Sequence, residues 1–316
     1  MFTVDDGFFG IHLDWAEAVY QRDAIAVHSV RTRAGGAHAF LSHRGEPAFI
    51  VDLRRLLGLH DVLGDAVRSA FVIVRSGTYR LALSIDELVG VEPLDLGSHV
   101  PVASSLVRDG GLCVGHLVAR EDGILVVLDP NRLLDGAMRD ALEPALRSAR
   151  AFLDRLRRIE ELWATMRKAA TLSDVRNYVR LCRRGGRSRA AAAARAVLKF
   201  MEPGAAAGAD SMSERLIRDL LGFSETQRTG EVLFELPEGR SGGKIVLQRG
   251  RVVDAKYEDE WGIPAFRKLL DSTAGQFRFV EREPAESPGR IADSTVALLI
   301  SSLQGLSEER RGRRER

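Results

Sequence analysis

The first 135 residues consist of short apolar runs separated by turn residues, and this pattern constrains the fold more than any other feature of the chain. Examples are the runs 48–51, 70–74 and 79–85, the last two separated by Ser76-Gly77. Many short runs at such a spacing are typical of strands in a barrel or sandwich. The sequence therefore predicts an all-β domain that ends near residue 137.

The pattern changes after Gly136, where apolar residues begin to recur at steps of three or four. This spacing continues from Leu142 to Ala170 and predicts an amphipathic helix whose seam can pair with another helix. Such a seam can cover its own domain or dock on another protein, and the sequence leaves both possibilities open. Leu156 and Trp163 lie on this seam and are our candidates for partner contact there.

The segment from Met138 to Met201 is strongly basic, with 16 Arg or Lys and 6 Asp or Glu, whereas the whole chain has a net charge of +2. We predict a basic α-helical connector at residues 138–202 and a flexible linker, rich in Gly and Ala, at residues 203–212. A basic surface can bind nucleic acid or another acidic partner. Nucleic acid is the less favoured alternative, because few aromatic residues accompany the charge.

The remaining residues indicate a second compact unit at residues 213–305. A helical segment comes first, followed by three strand-like runs, a second helix, a further strand and a closing helix. Helices combined with a small antiparallel meander predict a small α+β domain. Residues 306–316 are mainly charged and are predicted to be a disordered tail. The chain is therefore predicted to be multidomain.

The sequence contains residues that resemble catalytic motifs, but the structural context that catalysis requires is not predicted around them. Residues 239–243 match the G-x-S-x-G pattern of hydrolases, but a strand rather than a helix is predicted to follow, so a hairpin loop is the better interpretation. Asp52, Asp86 and Asp129 each follow an apolar run and are expected to cap a turn or helix. We therefore predict no catalytic residues and no enzymatic activity.

Metal and cofactor sites are not predicted either. The densest histidine cluster comprises His28, His38 and His43, whose spacing does not suit zinc, so we expect surface or turn histidines. Cys113 and Cys182 are far apart and are expected to be reduced thiols. No apolar run approaches the roughly 20 residues that span a membrane, and the N-terminus lacks the basic start of a signal peptide. We expect a cytoplasmic protein.

Four segments resemble, in order, the CheW-like domain of bacterial chemotaxis adaptors. The segment 44–53 (RGEPAFIVDL) resembles the family's central run, in which an Arg-Gly pair precedes an apolar strand that ends in Asp-Leu. The segments 85–91 (IDELVGV) and 128–134 (LDPNRLL) resemble two later family motifs, and residues 10–19 resemble its early strand. The resemblance implies the family fold, a pair of five-stranded β-barrels around a shared core, for residues 1–137.

The resemblance also implies a function and candidate binding residues. Members of the family carry no catalytic group and join a CheA-type histidine kinase to chemoreceptors, so both are implied partners. Glu17 and Arg44 match a family Glu and Arg that can pair across the surface near the receptor-facing side, or can simply fix a turn. With Gly45 they are our candidates for partner binding. Ser42 and His43 depart from the Asn and Leu that the family usually has there.

The second unit, residues 213–305, resembles the PATAN domain. The supporting segments are Thr229-Gly230, residues 250–255, residues 262–266 and residues 275–279 (GQFRF). PATAN domains occur in prokaryotic signalling and motility proteins and are associated with protein contacts, which implies a further protein partner for this half of the chain. Together the two resemblances imply a non-enzymatic adaptor or scaffold in a chemosensory pathway.

Overall fold

The computed structural model divides the chain by its contacts into two compact units, Met1–Asp154 and Arg155–Arg316. Among the described residues, no helix combines the length and the apolar character that crossing a membrane requires. The structure describes residues 1–5, 7–32, 36–57, 70–93, 99–101, 113–121, 123–134, 136–202, 211–235, 241–272, 276–283 and 289–314.

The first unit is built mainly from strands, followed by the first half of a long helix. In chain order its elements are β1 (Phe2–Val4), β2 (Gly7–Ile11), β3 (Ala16–Gln21), β4 (Val27–Arg31), β5 (Ala37–His43), β6 (Glu46–Asp52), α1 (Leu53–Leu56), β7 (Ala70–Ser76), β8 (Tyr79–Ile85), β9 (Glu87–Leu88), β10 (His99–Pro101), β11 (Val114–Arg120), β12 (Gly123–Leu128) and α2 (Gly136–Lys168).

These strands form two six-stranded sheets. Sheet A has the order β10-β11-β12-β2-β1-β9, and sheet B has the order β3-β7-β8-β6-β5-β4. The pairs β12–β2 and β6–β8 are parallel. The predicted β-rich N-terminal domain is confirmed. The described strands pair into sheets of six, and closure into two five-stranded barrels stays a prediction. Sheet A has a sixth strand because Glu87–Leu88, which follows β8 closely, pairs with β1.

A buried arginine connects the two sheets. Arg54 of α1 lies with its Nε 3.0 Å from Oδ1 of Asp5, in the turn between β1 and β2, and with its Nη2 2.7 Å from Oδ2 of Asp86, after β8. The backbone N–H of Asp5 also donates to Asp86. Of the aspartates expected to cap turns or helices, Asp52 occupies the N-cap of α1, and Asp129 accepts a bond from a backbone N–H in the turn that follows it.

The first half of α2 packs on sheet B. The ring of Phe152 lies 5.1 Å from that of His28 and 5.9 Å from that of Phe40, measured between centroids. Arg150 also pairs with Glu46 at 2.9 Å. The unit boundary therefore falls inside α2, at residue 154, rather than at the predicted junction after residue 137. The buried apolar residues of this half are Leu142, Ala145, Leu146, Ala149 and Leu153.

The second unit begins with the remainder of α2 and contains one antiparallel sheet, sheet C, with the order β16-β15-β14-β13-β17. Capping boxes at Thr171 and Ser211 start two of its helices. Its further elements are α3 (Leu172–Arg184), α4 (Ser188–Met201), α5 (Met212–Glu225), β13 (Gly230–Glu235), β14 (Ser241–Gln248), β15 (Arg251–Tyr257), β16 (Glu260–Trp261), α6 (Gly262–Asp271), β17 (Gln276–Val280) and α7 (Thr295–Arg314).

One hydrophobic core holds the second unit together, and it includes the basic helices. The helix α4 packs against α3, α5 and α7, so residues 155–202 share the core of the α+β part instead of forming a separate connector. This arrangement follows from the small, buried alanines of α4, which allow close helix packing. The core includes Ile159, Met166, Val175, Cys182, Ala191, Val197, Leu216, Phe266 and Leu298.

The structure describes most of the C-terminal tail, which is helical, but little of the predicted linker. The sequence predicts disorder from residue 306, whereas α7 continues as a helix to Arg314. Arg310 pairs with Asp271 of α6, and Gln304 bonds Glu308 one turn further along α7. These contacts stabilise the helical conformation of the charged residues at the end of α7. Residues 203–210 of the predicted linker lie outside the described residues. Of the hairpin loop predicted at residues 239–243, residues 239 and 240 also lie outside them, and residues 241–243 belong to β14.

Candidate protein-interaction site

Glu17 lies at the edge of sheet B and binds two arginines. The register of β3 on β7 shifts between Ala16 and Ala18, so Glu17 is the extra residue of a β-bulge. Its Oε1 accepts bonds from Nε and Nη2 of Arg75 at 2.9 and 2.8 Å, and its Oε2 accepts from Nε of Arg80 at 2.8 Å. The Glu17 side chain is 11% exposed, whereas that of Arg75 is 62% exposed.

The two arginines are cross-strand neighbours. Arg75 and Arg80 are direct partners in the β7–β8 register, and only a tight turn separates the two strands. Like charges placed directly opposite each other destabilise a sheet. Glu17 removes that conflict by accepting from both guanidinium groups. Burial by itself would raise the pKa of Glu17, but the hydrogen bonds from Arg80 and Arg75 outweigh it and hold the pKa below its ordinary value of 4.5.

His43 extends this cluster into the interior. Its Nε2 lies 3.3 Å from Oε2 of Glu17, and its Nδ1 lies 2.8 Å from the hydroxyl of Tyr20. Burial lowers the pKa of His43 below its ordinary value of 6.5, although the Glu17 carboxylate acts in the opposite direction. A neutral ring with its proton on Nε2 fits both contacts. The expectation of a surface histidine is therefore wrong for His43, which is 1% exposed because it faces Glu17.

Arg44 and Gly45 form the two-residue turn between β5 and β6. Both have left-handed backbone angles, with φ of 52° and 82°, as the tight hairpin turns favoured between twisted strands require. The suggested pairing of Glu17 with Arg44 is replaced by the bonds from Arg75 and Arg80. Arg44 is exposed and follows His43 directly. Glu17 and Arg44 therefore both lie next to His43 but do not pair with each other.

The outer part of this region is apolar as well as charged. Val19 of β3 is 41% exposed, and Leu13, just before that strand, is 60% exposed. In the described sheet, β3 pairs only with β7, so its other edge is free for backbone contacts. We call Leu13, Glu17, Val19 and Arg75 the β3 edge surface. The sequence pattern missed Arg75 and Arg80, although a two-residue turn at Gly77-Thr78 would have placed them opposite each other.

Leu156 and Trp163, the two candidates on α2, belong to the second unit. Both pack against its hydrophobic core, and the Trp163 ring lies 5.2 Å from the ring of Tyr178 of α3. The α2 seam is thus covered within each unit by that unit's own residues. As partner contacts, Leu156 and Trp163 stay predictions.

Within the described ranges, no group of three or more His, Cys, Asp or Glu side chains is placed to hold a metal ion. Both cysteines are buried free thiols, and burial raises the pKa of each.

Comparison with known proteins gives a family match within the first unit. Residues 1–138 match the CheW-like domain. The crystal structure of the scaffolding protein TtCheW from Thermoanaerobacter tengcongensis is similar with 17% identity and a TM-score of 0.36, covering 43% of this chain and 91% of that chain. No curated protein matches the chain. Residues 1–138 thus carry a CheW-like domain.

Proposed function

We propose that this chain is a non-enzymatic, cytoplasmic adaptor in a chemotaxis-like signalling pathway, and that its first unit contacts a CheA-type histidine kinase or a chemoreceptor. The observation that carries the proposal is the match of residues 1–138 to the CheW-like domain. The clusters of ionisable residues in that unit also serve structure: Arg54 connects the two sheets, and Glu17 accepts hydrogen bonds from two arginines. Such an arrangement suits a protein that works through its outer surface.

The β3 edge surface is the contact that we propose for this partner. It combines exposed apolar side chains, Leu13 and Val19, with a free strand edge and the exposed Arg75. Glu17 balances one of its two arginine neighbours, and His43 is neutral, so the cluster has a net positive charge to which Arg44 adds. Exposed charge of one sign steers association and selects partners of opposite charge. We therefore expect an acidic patch on the partner.

For the second unit we propose a PATAN-type domain that binds a further protein. The antiparallel meander β13–β15 followed by α6 supports this assignment, because the sequence segments that resemble the PATAN domain fall on these elements. The short strands β16 and β17 lie at the edges of sheet C, where another chain can pair. An adaptor of this kind would hold a kinase or receptor partner on one unit and its second partner on the other.

Binding to CheA-type kinases encoded in the same genome tests the proposal. We would measure the affinity of the full chain for each purified kinase by calorimetry, using the wild type, Arg75→Glu and the control Arg215→Glu. Arg215 is exposed on α5 of the second unit. We expect saturable binding that Arg75→Glu weakens about tenfold or more and the control leaves unchanged. A chain that binds neither these kinases nor chemoreceptor signalling domains would contradict the proposal.

The alternative is a protein that binds nucleic acid through its basic helices. Several arginines of these helices already have acidic partners within the second unit: Arg176 pairs with Glu202 at 2.9 Å, and Arg187 pairs with Glu160 at 3.1 Å. Glu202 and Glu160 lower the net positive charge that these helices present to a nucleic-acid backbone, which favours the adaptor. A salt-dependent shift of duplex DNA at physiological ionic strength would reverse that preference.

A further inference from the structure

A cleft in the second unit is lined by three arginines and two glutamates, Glu160 and Glu308. Arg187 and Arg189, at the start of α4, and Arg267 of α6 line a space of about 670 Å³. Clefts of roughly 300 to 1,000 Å³ are the size that small organic ligands occupy. Trp163 of α2 contributes an aromatic side chain to the same wall, and Gly305 of α7 lies opposite. Size, charge and an aromatic wall thus coincide at one place.

The side chain of Arg267 is held in this cleft by its packing against Gly305. Its Nε is buried and donates to no acceptor among the described residues. A Cβ at Gly305 would lie 2.9 Å from the central carbon of the guanidinium and 3.2 Å from two of its nitrogens. The absence of a side chain at residue 305 therefore provides the space in which the guanidinium sits. A buried donor without an acceptor is costly.

Arg187 and Arg189 can change partners at little cost. Arg187 pairs with Glu160 at 3.1 Å, and Arg189 lies 3.9 Å from Glu308. All four side chains are at least two-fifths exposed. Exposed ion pairs of this kind contribute little to stability. Both acids can therefore rotate into solvent when a stronger anion enters, and their arginines then face the ligand.

The N-terminus of α4 adds backbone donors to the same wall. Its N-cap, Arg187, makes no side-chain capping bond, and the first bond into the helix runs from Ala191 to the carbonyl of Arg187. The backbone N–H groups of residues 188–190 therefore have no acceptor within the helix. All three residues line the cleft. Helix N-termini with free N–H groups favour phosphate groups.

We propose that this cleft binds a small organic phosphate of about mononucleotide size, with the phosphate between Arg267 and the start of α4 and the ring against Trp163. Guanidinium groups bind phosphate through two parallel hydrogen bonds, and an aromatic face accepts a nucleobase by stacking. The site lies wholly within the second unit and is separate from the β3 edge surface. A small phosphorylated metabolite would thus be sensed by the unit that we propose to bind a further protein.

Titration of the full chain with GMP, AMP and inorganic phosphate tests the proposal, with calorimetry and ³¹P NMR as the readouts. We expect at least one mononucleotide to bind saturably and about tenfold or more tightly than inorganic phosphate. Arg267→Gln should weaken that binding about tenfold, and Arg215→Gln, which lies outside the cleft, should leave it unchanged. A mononucleotide that binds no tighter than phosphate, or no saturable binding up to about 5 mM, would overturn the proposal.

A second variant separates lost binding from lost folding. Gly305→Ala places a methyl group where the Arg267 guanidinium lies, while alanine is a better helix former than glycine. We expect this variant to melt no lower than the wild type and to bind the mononucleotide several-fold more weakly. Wild-type affinity in both Gly305→Ala and Arg267→Gln would show that the ligand binds elsewhere.

Discussion

Arg75 and Arg80 lie directly opposite each other on β7 and β8, and the carboxylate of Glu17 accepts hydrogen bonds from both. This arrangement turns a repulsive cross-strand pair into a fixed ion cluster at the edge of sheet B. It also orients Arg75, the exposed member, at the surface that we propose for partner binding. Stability and recognition therefore depend on the same carboxylate.

The first prediction concerns removal of that carboxylate charge. Glu17→Gln leaves the two arginines facing each other and weakens three hydrogen bonds, so we expect the first unit to lose about 1 to 3 kcal/mol of unfolding free energy. Trp15 is the only tryptophan of that unit. Its fluorescence during urea unfolding, in a background with Trp163→Phe and Trp261→Phe, is the measurement.

The matched control for this change is Glu46→Gln. Glu46 also pairs with an arginine, Arg150 at 2.9 Å, but both side chains are well exposed. Exposed pairs contribute under about 1 kcal/mol, so this variant should unfold almost as the wild type does. Equal losses of unfolding free energy in the two variants would mean that the geometry around Glu17 contributes no stability beyond that of an exposed ion pair.

The second prediction is a pH dependence caused by His43. Because burial lowers its pKa in the folded protein below 6.5, the unfolded chain takes up a proton more readily as the pH falls through that value. The stability that the neutral ring contributes is therefore complete above about pH 6.5 and is lost below it. The pKa of Glu17 in the folded protein is below its ordinary value of 4.5. The stability that the ionised carboxylate contributes is therefore lost in turn as the pH falls below about 4.5.

Unfolding free energies between about pH 5 and 8 test this prediction on the Trp15 signal. His43→Leu removes the imidazole and introduces the residue that resembles the usual family pattern at this position. We expect its stability to vary less over that interval than the wild type's does. An unchanged pH profile in the variant would assign the effect to a different group.

Local signals in the sequence were sufficient for several elements. The helical structure predicted within residues 138–202 is present as α2, α3 and α4, because apolar residues recur there at helical spacing. The Arg44-Gly45 turn and the strand up to Asp52 also fall where the family-like segment suggested. In each case residues close in the sequence determine the conformation, through turn geometry, helix starts and apolar period.

Long-range pairings explain what the sequence did not predict. Glu17 lies 58 residues before Arg75 and 63 before Arg80, and a bulge, which apolar alternation does not reveal, turns its side chain towards them. The shared core of residues 155–202 with the α+β part likewise depends on which helix faces meet, and the charged end of α7 depends on a contact with Asp271.

The third prediction concerns the connection between sheets A and B. Arg54→Met removes a buried cation and leaves Asp5 and Asp86 without its charge. Breaking a buried pair from one side costs about 3 to 5 kcal/mol, so we expect a loss of that size in the first unit. Arg132→Met is the control, because Arg132 and Asp129 form a more exposed pair. Similar unfolding of the two variants would refute the structural role of Arg54.

The fourth prediction distinguishes an internal seam from a docking seam on α2. Leu156 packs against the core of the second unit, so Leu156→Glu should lower the unfolding free energy of that unit by about 1 to 3 kcal/mol. Sedimentation velocity should give the same oligomeric state for this variant and the wild type. A wild-type oligomer that dissociates in the variant, with unit stability unchanged, would instead place the seam between chains.

The fifth prediction compares two glycines of the second unit. A Cβ at Gly230, in β13, would lie 2.4 Å from the carbonyl oxygen of Val280 and 2.7 Å from the ring of Phe279. Neither the backbone nor the packed ring can move away without disturbing the β13–β17 pairing. We expect Gly230→Ala to destabilise the unit by about 1 to 3 kcal/mol, as overpacking typically does.

Gly222 of α5 is the matched control for Gly230, because a Cβ there meets no atom within 4 Å. Gly222→Ala should leave the unit equally stable or stabilise it by up to about 1 kcal/mol, since alanine is the better helix former. Thermal unfolding followed by the fluorescence of Trp163 and Trp261, with Trp15→Phe, measures both. Destabilisation by both variants, or by neither, would mean that the close approach of β13 to β17 does not determine which residue is tolerated at 230.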